Sequence, residues 1–275
     1  MENLLRFAAT VAVEAGKEIM RVYQDKNLDF GIEEKSDKSP LTQADKAAHK
    51  SIVAQLRETG IPVLSEEGNL PPYEERQSWH RLWLVDPLDG TKEFISRNGE
   101  FTVNIALIED GKPVLGVIYV PVECRLYLGI AGMGAWRVDD VKAKATGTAR
   151  RLSAREQKPL EAQKLPLASQ TARNNFVVVA SRSHLNAETE RYIKRLSLVN
   201  KDLQLISSGS SLKMCLVAEG TADVYPRFAP TMEWDTAAGD AIARAAGAEV
   251  FDAETGQPLT YNKPDMHNPW FIVSK

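Results

Sequence analysis

Two carboxylates at the end of an apolar segment give this chain its clearest chemical signal. Residues 82–85 are continuously hydrophobic, which is typical of a strand buried on both faces, and the motif DPLDGT follows over 86–91. Asp86, the Leu88 carbonyl and Asp89 could give a hard divalent cation such as Mg²⁺ three oxygen ligands from one turn. Pro87 is expected to stop the strand, and Gly90 permits close approach of a ligand to the backbone. Since Asp-Pro and Asp-Gly are also ordinary turn dipeptides, the motif alone leaves a metal site and a plain turn both open.

Two further acidic positions follow the same design. Glu66 and Glu67 end a short apolar segment just before a glycine, although paired carboxylates are equally typical of a solvated turn. Asp235 lies at the start of a predicted helix, where a simple N-cap worth about 1 kcal/mol would also explain it. Four or five carboxylates gathered in one place repel strongly unless cations neutralise them, so a shared site would imply bound metal.

Composition narrows the class of protein. The chain has 275 residues, of which 43% are apolar and 26% charged, with a net charge of −3. No clustered Lys and Arg footprint appears, so a nucleotide ligand is expected to be a small molecule and not a nucleic acid polymer. The two cysteines, Cys124 and Cys215, stand in unrelated contexts and are expected to be reduced. We expect a cytoplasmic protein without a transmembrane segment, and peripheral attachment to the cytoplasmic face of the inner membrane stays open.

The remaining pattern predicts a mixed α/β chain in three parts. A helical stripe covers 3–23, and Thr42 with Asp45 has the spacing of a capping box that starts a second helix. A hairpin signal at 110–111 predicts a partly antiparallel sheet. We expect an α+β half over 1–138, an irregular connection over 139–175, and an α/β half over 176–275 that carries ligand-binding loops.

Five motifs together identify a family resemblance. They are LSEE at 64–67, WLVDPLDGTKEF at 83–94, NGEFTVNIA at 98–106, GSSLK at 209–213 and WDTAAG at 234–239. With these motifs the chain resembles the inositol monophosphatase superfamily over nearly its whole length, and within it the CysQ-type 3'(2'),5'-bisphosphate nucleotidases. The resemblance implies an α/β (α+β) fold, a layered α-β-α-β-α sandwich with mixed, partly antiparallel sheets.

The resemblance also implies a metal site and a catalytic group. It assigns two or three Mg²⁺ ions, with Mn²⁺ as a substitute and Li⁺ as an inhibitor. The implied metal ligands are Glu66, Asp86, the Leu88 carbonyl, Asp89 and Asp235. Glu67 would orient the attacking water and Thr91, polarised by Asp45, would help accept its proton. Two structural alternatives stay open, since Asp45 could only complete its capping box and Thr91 could only cap a helix.

The implied substrate is a nucleotide bisphosphate. Removal of the 3'-phosphate from adenosine 3',5'-bisphosphate would leave AMP, and the sulfated relative would react in the same way, which places the enzyme in sulfur assimilation. The implied substrate-binding residues are Glu66, Asp89, Gly90, Thr91, His184, Ser210, Lys213, Arg227 and Asp235. Lys213 and Arg227 could instead be solvated surface cations. The alternatives are an inositol monophosphatase and a non-catalytic cation or nucleotide sensor, and the assembly is expected to be a monomer or weak homodimer.

Overall fold

The chain folds around two mixed sheets. The computed structural model describes residues 1–25, 30–34, 40–141, 162–167, 173–182 and 185–275. The helices are α1 (Glu2–Gln24), α2 (Gln43–Leu56), α3 (Tyr73–Arg76), α4 (Thr91–Ile95), α5 (Ala187–Val199), α6 (Leu212–Glu219) and α7 (Glu233–Ala245). The strands are β1 (Glu33–Glu34), β2 (Pro40–Leu41), β3 (Val63–Ser65), β4 (Arg81–Asp89), β5 (Thr102–Glu109), β6 (Lys112–Val120), β7 (Arg125–Ile130), β8 (Gly134–Val138), β9 (Gln163–Lys164), β10 (Phe176–Ser181), β11 (Leu203–Ser208), β12 (Val224–Arg227), β13 (Glu249–Asp252) and β14 (Phe271–Ser274).

Helices and sheets alternate in five layers. Helices α1 and α2 cover one face of the first sheet, whose strand order is β3-β4-β5-β6-β7-β8-β9. Helices α6 and α7 lie between this sheet and the second one, whose order is β11-β10-β12-β14-β13. Helix α5 packs on the far side of the second sheet. The predicted layered sandwich with mixed sheets is confirmed.

The first sheet brings two of the predicted acidic segments side by side. Strands β3 and β4 are parallel, and Ser65 pairs with Val85 at their carboxyl ends. The backbone N–H of Glu66 continues the pairing by donating to the Val85 carbonyl at 3.1 Å. Because parallel strands end at the same edge of a sheet, Glu66 and Asp86 emerge next to each other.

Strand β4 corrects one expectation from the sequence. Pro87 does not stop the strand, which runs on to Asp89. The pairing of β4 with β5 breaks its register between Asp86 and Asp89, and Asp89 then lies opposite Thr102. A bulge accommodates a residue without an N–H, so the proline bends the strand instead of ending it.

The predicted connection over 139–175 lies largely outside the described residues. Its described part contains β9, a two-residue strand that pairs with β8 at the edge of the first sheet. From residue 176 the predicted alternation of strand and helix is confirmed. Strands β10 and β11 precede and follow α5 in the sequence, and they pair in parallel within the second sheet. No described helix has the length and apolar character needed to cross a membrane.

Helix α7 approaches the first sheet unusually closely at two glycines. A Cβ atom added at Gly116 in β6 would lie 2.3 Å from the Ala238 carbonyl oxygen. One added at Gly129 in β7 would lie 2.7 Å from the Ile242 Cα atom. Both neighbours are helix backbone and cannot rotate away. The two glycines therefore set the depth at which α7, the helix that carries Asp235, rests on the sheet.

We predict that Gly116→Ala lowers the free energy of unfolding by about 1–3 kcal/mol, because the added methyl group overpacks the contact with α7. Urea denaturation followed by circular dichroism measures this change. Lys112→Ala, an exposed substitution in the same strand, is the control and should stay within about 0.5 kcal/mol of the unmodified protein. A Gly116→Ala protein as stable as this control would contradict the packing argument.

Candidate active site

Three carboxylates from distant segments meet at the edge of the first sheet. Glu66 follows β3, Asp86 lies within β4, and Asp235 lies in the first turn of α7. One oxygen atom from each lies within 4.8 Å of those from the other two. Asp86 is 2% exposed, so its charge is nearly removed from water. The predicted convergence of these acids is thus present in the fold.

Burial and mutual repulsion dominate the electrostatics of this cluster. Burial raises the pKa of Asp86 well above its usual value, and the charges of Glu66, Asp89 and Asp235 raise it further. The pKa of Asp235 is raised well above its usual value by burial and then by the charges of Asp89 and Glu66. The carboxylates of this cluster therefore repel one another in a site that is largely shielded from water.

Asp235 does not occupy the N-cap position considered from the sequence. Met232 is the N-cap of α7, and Asp235 is the third helical residue. Its Oδ2 atom accepts a hydrogen bond from the Met232 backbone N–H at 2.9 Å. One carboxylate oxygen therefore closes the helix terminus, as the acid in a capping box does, and the other can still face Asp86.

The side chain of Asp89 is fixed by hydrogen bonds from the loop that precedes α6 and from β5. Its Oδ2 atom accepts from the Ser211 backbone N–H at 2.6 Å, from the Ser211 hydroxyl, and from the Asn104 side-chain amide at 3.3 Å. Asp89 is not among the three residues whose oxygens cluster within 4.8 Å, but its charge reaches both Asp86 and Asp235.

Asp45 completes its capping box and also accepts a hydrogen bond from Thr91. Its Oδ2 atom accepts from the Thr42 backbone N–H at 2.8 Å and from the Thr42 hydroxyl at 2.5 Å, which completes the capping box of α2. Its Oδ1 atom accepts from the Thr91 hydroxyl at 3.2 Å. Thr91 is not a helix cap, because Gly90 occupies that position of α4. The Thr91 hydroxyl also lies 3.4 Å from the Leu88 carbonyl oxygen.

Glu67 lies beside His49 of α2. The His49 Nδ1 atom is 2.9 Å from the Ser65 hydroxyl, which directly precedes the acidic pair. Burial lowers the pKa of His49, and the charge of Glu67 opposes that shift. The loop that carries the two glutamates is thus anchored against α2, the same helix that carries Asp45.

A cleft of about 360 Å³ joins the acids to the second sheet. Its acidic end includes Glu66, Asp89 and Asp235, and its other walls include Lys213 and Arg227. These two cations are 4% and 9% exposed, so the alternative that they are solvated surface residues is wrong. Gly90, Thr91 and Ser210 also line the cleft. His184 lies outside the described residues.

The two cations are held differently. Lys213 donates to the Ser210 carbonyl and lies 5.5 Å from the centre of the Tyr225 ring. The pKa of Lys213 is lowered to about 8. Burial is the main cause, the charge of Asp89 opposes the shift, and the charge of Arg227 adds to it. Arg227 donates to the Pro230 carbonyl at 3.1 Å, while its buried Nε–H finds no acceptor among the residues that the structure describes.

The sequence and structure of the chain match one family. The family model for the inositol monophosphatase family matches residues 1–270. The chain belongs to the inositol monophosphatase family. It is 49% identical over 267 residues to the 3'(2'),5'-bisphosphate nucleotidase CysQ of Escherichia coli O6:H1, an alignment that covers 96% of each chain.

Solved structures agree with this family assignment. CysQ from Bacteroides thetaiotaomicron, a bacterial member of the family, is similar with a TM-score of 0.86 and 56% identity, covering 97% of this chain and 95% of that one. An inositol monophosphatase from Anabaena shares the fold at a TM-score of 0.66 and 23% identity, covering 99% of this chain and 90% of that one.

The inositol monophosphatase family is metal-dependent, and the residues present fit a metal ion. All the converging side-chain donors are carboxylate oxygens, which hard divalent cations prefer. The raised pKa values of Asp86 and Asp235 show a local excess of negative charge that a cation would relieve. The site therefore has both the ligand type and the charge that a divalent ion of this kind requires.

Sequence reasoning assigned no role to the residues behind Asp89. Ser211 and Asn104 lie inside motifs that carried the family resemblance, but neither was named as a site residue. The hydrogen bond from Ser211 to Asp89 joins the α6 loop to the first sheet across 122 residues of sequence, and the one from Asn104 to Asp89 links two neighbouring strands of that sheet. Local spacing contains no signal for such a contact.

We predict that Asp86→Asn stabilises the metal-free protein. A carboxyl whose folded-state pKa is raised above its unfolded value costs stability once the pH exceeds the unfolded pKa, so at pH 7 its removal should raise the Tm by several degrees in EDTA. Added Mg²⁺ should raise the Tm of the unmodified protein but not that of the variant. Differential scanning calorimetry with and without Mg²⁺ measures both effects.

Asp202→Asn is the matched control, because Asp202 is exposed and outside the cluster. It should leave the Tm and the response to Mg²⁺ unchanged. A lower Tm for Asp86→Asn in EDTA would show that repulsion does not limit the stability of the metal-free fold.

Proposed function

We propose that this chain is a Mg²⁺-dependent phosphatase that removes the 3'-phosphate from adenosine 3',5'-bisphosphate, leaving AMP and inorganic phosphate. The sulfated relative would lose the same phosphate. The observation that carries the proposal is the cleft with carboxylates at one end and two buried cations in its walls. Such a cleft suits a substrate with two anionic groups. The similarity to the nucleotidases called CysQ supports the same substrate.

The carboxylate end would hold the cations and the scissile phosphate. Glu66, Asp86 and the Leu88 carbonyl are proposed ligands of one Mg²⁺, and Asp86, Asp89 and Asp235 of a second. When bound, the ions would stabilise the negative charge that develops on the phosphoryl group and its leaving oxygen. A third ion, replacement by Mn²⁺ and inhibition by Li⁺ belong to the same proposal.

The chain itself would manage the proton of the attacking water. In the proposed mechanism Glu67 orients the water, and the Thr91 hydroxyl accepts its proton while passing its own to Asp45 Oδ1. The 3.2 Å hydrogen bond between Thr91 and Asp45 supports this direction of transfer, since it already points the hydroxyl proton at the carboxylate. The bonds from Thr42 fix the other Asp45 oxygen and keep the acceptor in place.

The cationic part of the cleft would recognise the phosphate that is not removed. Lys213 and Arg227 are proposed to contact the 5'-phosphate, with Ser210 contributing a hydroxyl group. The unpartnered Arg227 Nε–H supports this role, because a buried donor without an acceptor favours a ligand that supplies one. His184 is proposed to contact the nucleoside, and Gly90 to let the phosphate approach the backbone.

Phosphate release from a substrate panel tests the proposal. We predict that, under Mg²⁺, kcat/KM for adenosine 3',5'-bisphosphate exceeds that for inositol 1-phosphate and fructose 1,6-bisphosphate by at least about 100-fold. Inositol 1-phosphate has no second phosphate and would leave two buried cations unpaired, whereas fructose 1,6-bisphosphate has two phosphates but no nucleoside to occupy the rest of the cleft. Preference for either sugar phosphate would overturn the substrate assignment, and tight nucleotide binding without turnover would favour a sensor.

The pH dependence of kcat/KM tests the role of Lys213. Because its pKa is lowered to about 8, Lys213 is charged at pH 7 and largely neutral at pH 9. We predict that kcat/KM for the bisphosphate, divided by that for adenosine 3'-monophosphate, falls roughly tenfold over this range. The ratio removes effects of the catalytic groups, which act on both substrates.

Lys213→Arg is the matched control, because arginine stays charged across the whole range. In this variant the ratio should be independent of pH. A ratio that stays constant in the unmodified enzyme would show that Lys213 does not contact the second phosphate.

A further inference from the structure

Thr102, Asn104 and Ser211 form a buried polar network next to Asp89. Asn104 donates to the Ser211 hydroxyl oxygen at 2.6 Å, and Thr102 donates to the Asn104 side-chain carbonyl at 3.0 Å. Thr102, Asn104 and Ser211 are 0%, 1% and 4% exposed. A buried chain of this kind is rigid because every donor already has its acceptor, so the network fixes the positions of its members.

The network acts on only one oxygen of Asp89. The two Ser211 donors and the Asn104 amide all reach Oδ2, and within the described part of the chain no group donates to Oδ1. A carboxylate oxygen has about two lone-pair sites, so three donors leave Oδ2 with no capacity for a cation. Oδ1 alone remains available as a ligand, on a side chain that cannot rotate without losing the three bonds.

The network also connects the two sheets. Ser211 immediately precedes α6 and lies between Ser210 and the start of the helix that carries Lys213. Two residues earlier, the Gly209 N–H donates to Glu100 at 2.8 Å, and Arg182 donates twice to the same carboxylate. The loop is therefore fixed to the first sheet at Asp89 and at Glu100.

We propose that Ser211, supported by Asn104 and Thr102, is a positioning residue that makes Asp89 a one-oxygen ligand and couples the cation site to the loop that binds substrate. This inference rests on the proposed role of Asp89 as a metal ligand. Removing the Ser211 hydroxyl leaves Oδ2 with two donors instead of three, lets the carboxylate rotate more freely, and weakens cation binding. Partners of ligating groups in other metal sites commonly affect metal affinity by about 10–100-fold.

Isothermal titration with Mn²⁺, in the absence of nucleotide, tests the inference on the full-length protein. Ser211→Ala should raise the Mn²⁺ dissociation constant by about 10–100-fold, and Asn104→Ala should raise it as well. The double variant should show less than the sum of the two effects, since both changes disturb the same carboxylate. Circular dichroism and the Tm establish that each variant is folded.

Ser208→Ala is the matched control. Ser208 is a buried serine at the end of β11, 5% exposed, and its hydroxyl donates to the neighbouring Gly209 carbonyl and not to Asp89. Its Mn²⁺ affinity should stay within twofold of the unmodified protein. A folded Ser211→Ala protein that binds Mn²⁺ as tightly as this control would overturn the inference, as would an unmodified protein that binds no Mn²⁺.

Phosphatase assays at increasing Mg²⁺ provide a second measurement. The activity lost in Ser211→Ala should recover toward that of the unmodified enzyme when Mg²⁺ is raised, whereas a purely structural defect would persist at saturating metal. Because the Mn²⁺ titration contains no substrate, its result does not depend on whether the proposed nucleotide is correct.

Discussion

The repulsion among carboxylates around Asp86 is the constraint on which the site depends. Asp86 is almost completely shielded from water, and Glu66, Asp89 and Asp235 all raise its pKa after burial has done so. Only protons or cations can neutralise such a group, and protonation would remove its value as a ligand. Within the site, backbone N–H groups fix one oxygen of Asp86, of Asp89 and of Asp235, and a further one fixes an oxygen of Asp45. The pairs are Leu88 with Asp86, Ser211 with Asp89, Thr42 with Asp45, and Met232 with Asp235, at 3.0, 2.6, 2.8 and 2.9 Å. Neutral donors hold the side chains without cancelling their charge.

The layered architecture brings these fixed acids together. The parallel pairing of β3 and β4 places Glu66 beside Asp86, which is a local consequence of strand register. The position of Asp235 depends instead on tertiary packing, because α7 carries Asp235 and rests closely on the first sheet at Gly116 and Gly129. Any residue larger than glycine at those positions would push the helix outward. Since divalent ions bind oxygen ligands at about 2–2.6 Å, a shift of even 1 Å would move Asp235 out of reach.

Much of the fold and of the site could be predicted from the sequence, because the decisive signals were local. The capping box at Thr42, the strand before Asp86 and the alternation after residue 176 each follow from short-range periodicity or turn chemistry. The failures share a different cause. Pro87 lies in a bulge that depends on the partner strand β5. The hydrogen bonds of Ser211 to Asp89 likewise join residues that no local pattern connects. At Asp45, one oxygen accepts from Thr42 in the capping box and the other accepts from Thr91.

The two ends of the cleft carry unbalanced charge of opposite sign, negative at the carboxylates and positive at Lys213 and Arg227. At one end, clustered acids with raised pKa values require cations. At the other, Lys213 has a lowered pKa because it is buried, and Arg227 keeps a buried N–H without an acceptor. Metal ions bound as proposed would convert the first end into a site for a phosphate, while the buried cations at the second end favour an anion. A ligand with two phosphates relieves both imbalances, whereas a monophosphate leaves the second in place at a cost of about 1–3 kcal/mol for each unpaired buried group. Selectivity for a bisphosphate would thus arise less from extra attraction than from the penalty of leaving buried charges unmatched.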